Sequence, residues 1–301
     1  MPYHVPIMLN QCLEGLNINP NGIYIDLTFG GGGHSKAIVE RLDKGKLYCF
    51  DQDKDALKNY ELLIRDDENF AKKTTLVEAN FCYFKKYLRL HGVIEVDGIL
   101  ADLGVSSHQF DEADRGFSYR FDAELDMRMN QSVEKSAKKI VNTYDEKQLS
   151  KIFIEFGEIQ NAWKLANAIV RERVNKTIES TGDLTKICFP LAKKNQDYKY
   201  FSQVFQALRI ETNEEIEALK EMLLQTAEVI KPGGRLAIIT FHSLEDRLVK
   251  NYIKQGLLEG EAKKDVFGNV KKPFESITRK PIEPDEEELQ FNSRARSAKL
   301  R

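Results

Sequence analysis

The chain has 301 residues, enough for about two domains and an extensive core. Hydrophobic residues make up 42% and charged residues 31%, ordinary for a globular protein, and no stretch approaches the ~20 apolar residues that a membrane helix needs. A formal net charge of −2 excludes a globally basic nucleic-acid binder, so any such surface must be local.

The leading residues, Met1-Pro2-Tyr3-His4-Val5, lack the basic stretch and apolar core of an export signal. Cys12, Cys49, Cys82 and Cys188 show no C-x-x-C spacing and read as reduced thiols of a cytoplasmic protein. The first strand is predicted over 23–27, and Asp26-Leu27-Thr28-Phe29-Gly30-Gly31-Gly32-Gly33-His34-Ser35 runs from it into a helix-forming segment at 36–42. Strand, glycine loop and helix together form the nucleotide crevice of a doubly wound α/β domain. The dinucleotide pattern G-x-G-x-x-G is met at Gly30 and Gly32 but not at Ser35.

Acidic residues end the apolar runs. Asp26 closes the first, Asp51 the second (47–50), and Asp102 falls in the run at 99–103; a further strand is predicted over 75–78. If these runs are parallel strands, the three carboxylates gather at their C-terminal ends, where such sheets bind ligands. That cluster repels a pyrophosphate and attracts a sulfonium carrying an ammonium group, which favours S-adenosylmethionine over NAD. Asp51, about twenty residues past the loop, suits ribose hydroxyls.

The alternation of strand and helix then stops. The next strand is predicted over 235–241, introduced by Lys231-Pro232-Gly233-Gly234, and well over a hundred helix-rich residues intervene. The expected fold is therefore a Rossmann-like sheet domain (1–106 and 214–301) carrying an inserted small helical domain (107–213). Capping pairs are read at Thr143/Glu146 and Thr212/Glu215. Trp163, on an amphipathic run at 162–170, is expected in the core. Glu286-Glu287-Glu288 reads as a solvated loop. The run 294–301, with Arg294, Arg296, Lys299 and Arg301 and no acid, reads as a phosphate-gripping tail. No histidine or cysteine spacing suggests a metal site.

Five segments in this order resemble the bacterial small-subunit (16S) rRNA (cytosine-N4)-methyltransferase family, RsmH/MraW. They are His4-Val5-Pro6-Ile7-Met8-Leu9; Asp26 through Ser35; Asp97 through Ser107; Arg115-Gly116-Phe117-Ser118 with Leu125-Asp126-Met127-Arg128-Met129; and Gly233-Gly234-Arg235-Leu236 running into Phe241-His242-Ser243-Leu244-Glu245-Asp246-Arg247. Phe205 to Ile210 and the tail from Asn292 extend the likeness over nearly the whole chain.

The resemblance implies methylation of the exocyclic N4 of one cytidine in the decoding centre, with S-adenosylmethionine as donor. It places cofactor contacts at Gly32, Gly33, His34, Asp51, Phe81, Asp102 and Gln109. Asp102, Ser106 and His242 are the expected catalytic residues, and Arg115, Arg209, Arg294 and Arg296 the expected RNA contacts. The inserted domain is the expected RNA-recognition element, and a homodimer is compatible with this reading. His108 stands where the family has proline, and Lys199 to Val204 replace a His-Pro-Ala-Thr-Arg-like run. The Asn/Asp-Pro-Pro-Tyr tetrad of other amino-methyltransferases is replaced by Asp102-Leu103-Gly104-Val105. The rival readings are a nicotinamide-dependent oxidoreductase, an RNA-binding assembly factor that keeps only the fold, and a methyltransferase acting on DNA or protein.

Overall fold

The computed structural model describes residues 6–260, 262 and 270–301, so His4 and Val5 of the first motif lie outside the described residues. In chain order the sheet part begins α1 (Leu9–Leu16), β1 (Ile23–Asp26), α2 (Gly33–Val39), β2 (Lys46–Asp51), α3 (Lys54–Asp66), α4 (Glu68–Lys73), β3 (Thr74–Glu78), α5 (Phe84–Leu90) and β4 (Val96–Asp102). The helical stretch follows as α6 (Ser107–Asp111), α7 (Ala137–Thr143), α8 (Glu146–Glu155), α9 (Ala162–Asn175), α10 (Thr181–Cys188), α11 (Asp197–Asn213) and α12 (Glu215–Val229). The sheet then resumes with β5 (Ile230–Thr240), α13 (Ser243–Gln255), α14 (Glu286–Phe291) and β6 (Lys299–Leu300).

The chain divides into two compact units, Met1–Gly104 with Ile216–Arg301, and Val105–Glu215. The boundaries expected from sequence, 107 and 213, lie two residues inside the second unit. Among the described residues no helix is long and apolar enough to cross a membrane.

The first unit carries the sheet, in the order β3-β2-β1-β4-β5-β6. β1 to β5 are mutually parallel, and β6 pairs antiparallel with β5. The order reverses beside β1, which is the switch point where such sheets bind ligands. The strand register decides where the acids fall. Asp26 is level with Cys49 of β2 and Leu100 of β4. Asp51 and Asp102 therefore stand two residues, roughly 6.6 Å, further along their strands. Because side chains alternate, all three acids share one face of the sheet. Tyr24, Leu47, Cys49, Leu100, Ala237, Ile239 and Leu300 occupy the same face and pack with Leu13, Leu16, Ile38 and Leu42. Ile25, Phe50, Ile99, Ala101 and Ile238 point the other way and are equally buried.

Val229 ends α12, and Lys231 to Gly234 bulge out of the β4–β5 ladder, where Val96 pairs with Ile230 and Gly98 next pairs with Arg235. Gly233 adopts φ 83°, which a residue with a Cβ rarely accepts. This is the break expected at Lys231-Pro232-Gly233-Gly234.

The second unit has its own core, in which Leu149, Phe153, Leu165, Ile169, Leu184, Val204 and Leu208 are wholly enclosed. Tyr200, Phe201 and Val204, from the segment that departs from the family pattern, belong to this core.

Several sequence expectations are corrected. The cap of α8 is Asp145 with Gln148, while the Thr143 hydroxyl donates back to the Lys139 carbonyl at 2.7 Å inside α7. Thr212 lies within α11, and its buried hydroxyl has no hydrogen-bond partner among the described residues. Trp163 is 53% exposed, not core. The buried stripe of α9 is Ala162, Leu165, Ala166 and Ile169, and Trp163 lies one residue, about 100°, off it. Glu286, Glu287 and Glu288 form the first turn of α14, capped by Asp285, where acids favour the helix dipole. The basic tail closes the sheet, with Ala295, Ala298 and Leu300 buried. Arg301 exchanges backbone hydrogen bonds with Ile238 (2.8 and 2.9 Å) and grips Asp246 through two nitrogens (2.6 and 3.2 Å).

Candidate donor site at the strand ends

The glycine loop is fixed from beneath by β2. The Phe29 amide donates to the Phe50 carbonyl at 3.0 Å, and the Gly30 amide donates to Asp51 Oδ2 at 2.8 Å. Gly30 (φ 52°) and Gly32 (φ 77°) take left-handed conformations that let the chain turn sharply into α2. A Cβ on Gly32 would stand 2.5 Å from the Leu63 side chain, and one on Gly33 2.4 Å from the Pro6 ring. The loop therefore needs glycine both for its dihedrals and for its packing.

Asp26 is buried beneath this loop. It accepts from the Ser35 hydroxyl (2.6 Å) and the Thr28 amide (3.1 Å), and burial raises its pKa above the usual carboxylate value. The serine that breaks the dinucleotide pattern thus ties α2 to the end of β1. Two carboxylates, not three, reach the rim of the sheet, because the register sets Asp26 two residues back.

Asp51 Oδ1 accepts from the Asp53 amide at 2.9 Å, and Oδ2 accepts from Gly30. Burial pushes its pKa up to about 6, against these two hydrogen bonds that favour the ionised form. Asp102 is anchored by its own amide, which donates to Thr28 Oγ1 at 2.7 Å. Its Oδ1 is buried and has no hydrogen-bond partner among the described residues. Burial first, and then the charges of Asp26, Glu245 and Glu288, hold this carboxyl well above the ordinary range.

His34 Nε2 is 3.0 Å from the Ile7 carbonyl, so Nε2 carries the proton and donates. Its Nδ1 lies 3.9 Å from Asp102 Oδ2, and burial lowers its pKa. Phe81 is half-buried and opens a 3-10 turn (Phe81–Tyr83) just past β3, capped by Asn80, whose side-chain Nδ2 donates to Gln52 Oε1 at 3.1 Å. His242 caps α13: its Nδ1 receives the Glu245 amide at 3.5 Å. Its Nε2 makes no hydrogen bond among the described residues, although Glu245 Oε1 is 3.1 Å away.

In the second unit Ser106 and Gln109 form a capping box at the start of α6. The Ser106 amide donates to Gln109 Oε1 at 3.0 Å, and the Gln109 amide donates to Ser106 Oγ at 3.2 Å. His108 leaves this box intact. Arg115, expected to contact RNA, is only 6% exposed and donates to the Arg128 and Met129 carbonyls at 2.9 and 3.3 Å. It stands 5.7 Å over the Phe117 ring. Arg209 holds Glu215 through two 2.9 Å bonds. Both arginines are engaged inside their own unit, whereas Arg294 and Arg296 are exposed on the sheet unit. Sequence reasoning missed the contributions of Pro6, Ile7 and Thr28 to the loop, since Pro6 acts through a ring contact, Ile7 through its backbone carbonyl, and Thr28 through a hydroxyl whose partner only the strand pairing supplies.

A doubly wound sheet with a glycine loop after β1 and acids ending the strands on either side defines a nucleotide-cofactor-binding α/β domain. The model of the MraW methylase family matches residues 1–301. A protein of Cytophaga hutchinsonii named ribosomal RNA small subunit methyltransferase H is 56% identical over 99% of this chain and 98% of its own. Relatives of the same name from Christiangramia forsetii and Phocaeicola vulgatus are 54% and 53% identical, over 100% and 99% of this chain and 97% and 96% of theirs. The chain belongs to the MraW methylase family.

Proposed function

We propose that this protein methylates the exocyclic N4 of a cytidine in the decoding centre of small-subunit rRNA, with S-adenosylmethionine as donor, in the cytoplasm. The observation that carries the reading is the buried, unpartnered Oδ1 of Asp102 beside the left-handed glycine loop. A buried acceptor without a donor is costly, and an ammonium group supplied by a ligand satisfies it. The residues fit the cofactor: Asp102 as acceptor for its amino group, Asp51 for ribose hydroxyls, Phe81 against its adenine, and Gly32 and Gly33 at the close approach of the backbone. His34 contributes by holding the segment over the loop, and Gln109 stands as a further contact. When bound, the cofactor supplies an electrophilic methyl group on a positively charged sulfur.

The N4 lone pair of cytosine is delocalised into the ring, so the amine is a weak nucleophile. The protein must align it, localise its lone pair and accept a proton. Asp102, Ser106 and His242 are the candidates. Ser106 Oγ and His242 Nδ1 both serve as helix caps, which fixes their positions. The target base must leave its stack to be reached, and this selects open or partly assembled RNA. RNA recognition belongs to the helical unit and to the exposed Arg294 and Arg296.

Tritium transfer from labelled donor onto small subunits, naked rRNA and DNA, followed by nucleoside analysis, tests this. The expected product is N4-methylcytidine on small-subunit rRNA alone. Label on DNA or protein overturns the substrate, and donor-analogue binding with no transfer to any RNA favours an assembly factor. Binding of NAD but not of S-adenosylhomocysteine restores the oxidoreductase.

A further inference from the structure

The geometry points to Glu288, on the first turn of α14, as a positioning residue for the donor site. It acts by holding the segment Pro6-Ile7-Met8 across the glycine loop. The inference rests on the reading of that loop as the methyl-donor site and adds to it a residue remote in sequence.

Three contacts in series support it, all within the sheet unit. Glu288 Oε1 accepts the Met8 amide at 2.6 Å, across 280 positions of chain. Met8 is fully buried and sits at φ 53°, a left-handed conformation that a side chain disfavours and that its surroundings must hold. One residue earlier, the Ile7 carbonyl accepts His34 Nε2 at 3.0 Å. One residue earlier again, the Pro6 ring lies where a Cβ on Gly33 would stand, 2.4 Å from its Cγ.

The segment therefore clamps both Gly33 and His34, the first two residues of α2, and Glu288 fixes its far end. Among the described residues the Met8 amide has no backbone partner, so loss of the carboxylate leaves a buried donor unsatisfied. The chain relieves this by moving the segment toward water, which frees His34 and loosens the turn at the mouth of the sheet. Glu288 also contributes negative charge near Asp102, in the sense that favours a cationic ligand. Its neighbours Glu286 and Glu287 are exposed and have no comparable partner among the described residues, so the acidic turn is not uniform in purpose.

The test is calorimetry of S-adenosylhomocysteine with the full chain, together with donor KM and kcat on small subunits. Glu288→Ala is expected to weaken binding about ten- to hundredfold, and Glu288→Gln, which keeps an acceptor for Met8, to stay within about threefold of wild type. Donor KM should rise while kcat at saturating donor holds. Should the alanine variant fail to fold, Glu288→Asp, with the same charge on a shorter arm, carries the same expectation. Wild-type binding with equally tight binding by Glu288→Ala or Glu288→Asp overturns the inference alone. A fall in melting temperature without a donor-specific loss does the same. Absence of binding by wild type removes the donor site and this inference with it.

Discussion

Asp51 and Asp102 share a register level and a face of the sheet, but their surroundings differ. Asp51 has two backbone amides to stabilise its charge, whereas the buried Oδ1 of Asp102 has no hydrogen-bond partner among the described residues. Asp102→Asn should therefore weaken S-adenosylhomocysteine binding about tenfold or more while leaving the melting temperature of the ligand-free protein unchanged or higher. Calorimetry and thermal unfolding on the same preparation check both halves.

With Asp51 holding the ribose as proposed, its titration sets the acid limb of donor binding. In the unfolded chain it titrates near 3.8 and in the folded protein near about 6, so the folded form binds more protons between those values. Its ionisation opposes folding above about 6, and that opposition is relieved as pH falls from about 6 toward 3.8. Binding has the other sign, since the carboxylate is the better acceptor for a ribose hydroxyl. Donor-analogue affinity should fall between pH 7.5 and 5.5, roughly. As pH falls from about 6 toward 3.8 the stability gap between wild type and Asp51→Asn should narrow, as denaturant titration at each pH would read. Arg115→Ala should lower stability by about 1–3 kcal/mol through its orphaned carbonyls, with little change in RNA affinity in the variant that still folds.

Among the elements, the last strand has the most immediate consequence. Leu300 is buried against the sheet and its backbone pairs with both Ile239 and Ile282, so Leu300→Ala should cost about 2–5 kcal/mol, measured by chemical denaturation. Removal of residues 298–301 strips an edge from β5 and tests folding rather than RNA binding. That strand was readable: Ala298, Lys299, Leu300 and Arg301 alternate, and the two apolar members are buried. Charge drew the expectation toward the surface, but positive side chains on the outward positions of an edge strand are ordinary. β1 to β4 were legible to within a few residues because apolar runs of parallel strands are bounded by acids and glycines. The caps of α8 and α12 were misplaced by local competition: Asp145 with Gln148 satisfies the same motif as Thr143 with Glu146, and α11 simply runs on through Thr212. Trp163 failed for a geometric reason, since hydrophobicity outweighed its angular offset from the buried stripe. The loop and both rim acids were legible; the recess of Asp26 was not, because register is a property of strand pairs.

At the scale of the whole molecule, a net charge of −2 leaves RNA affinity to local clusters. Arg294→Ala with Arg296→Ala should weaken RNA binding and reduce the salt slope by about 1 to 2, with donor-analogue affinity unchanged. Filter binding across a salt series would show it, and an unaltered slope would assign recognition wholly to the helical unit. That unit has an independent core, so substitutions such as Leu165→Ala should destabilise it by about 2–5 kcal/mol without altering the glycine loop.

The pleat that turns Asp51 and Asp102 to one face also turns Leu47, Leu100 and Ala237 into the core on that face. A single residue inserted in β4 would swing the acid away from the crevice and expose its apolar neighbours in the same stroke. Chemistry and cohesion here are therefore read off one ruler, the phase of the central strands.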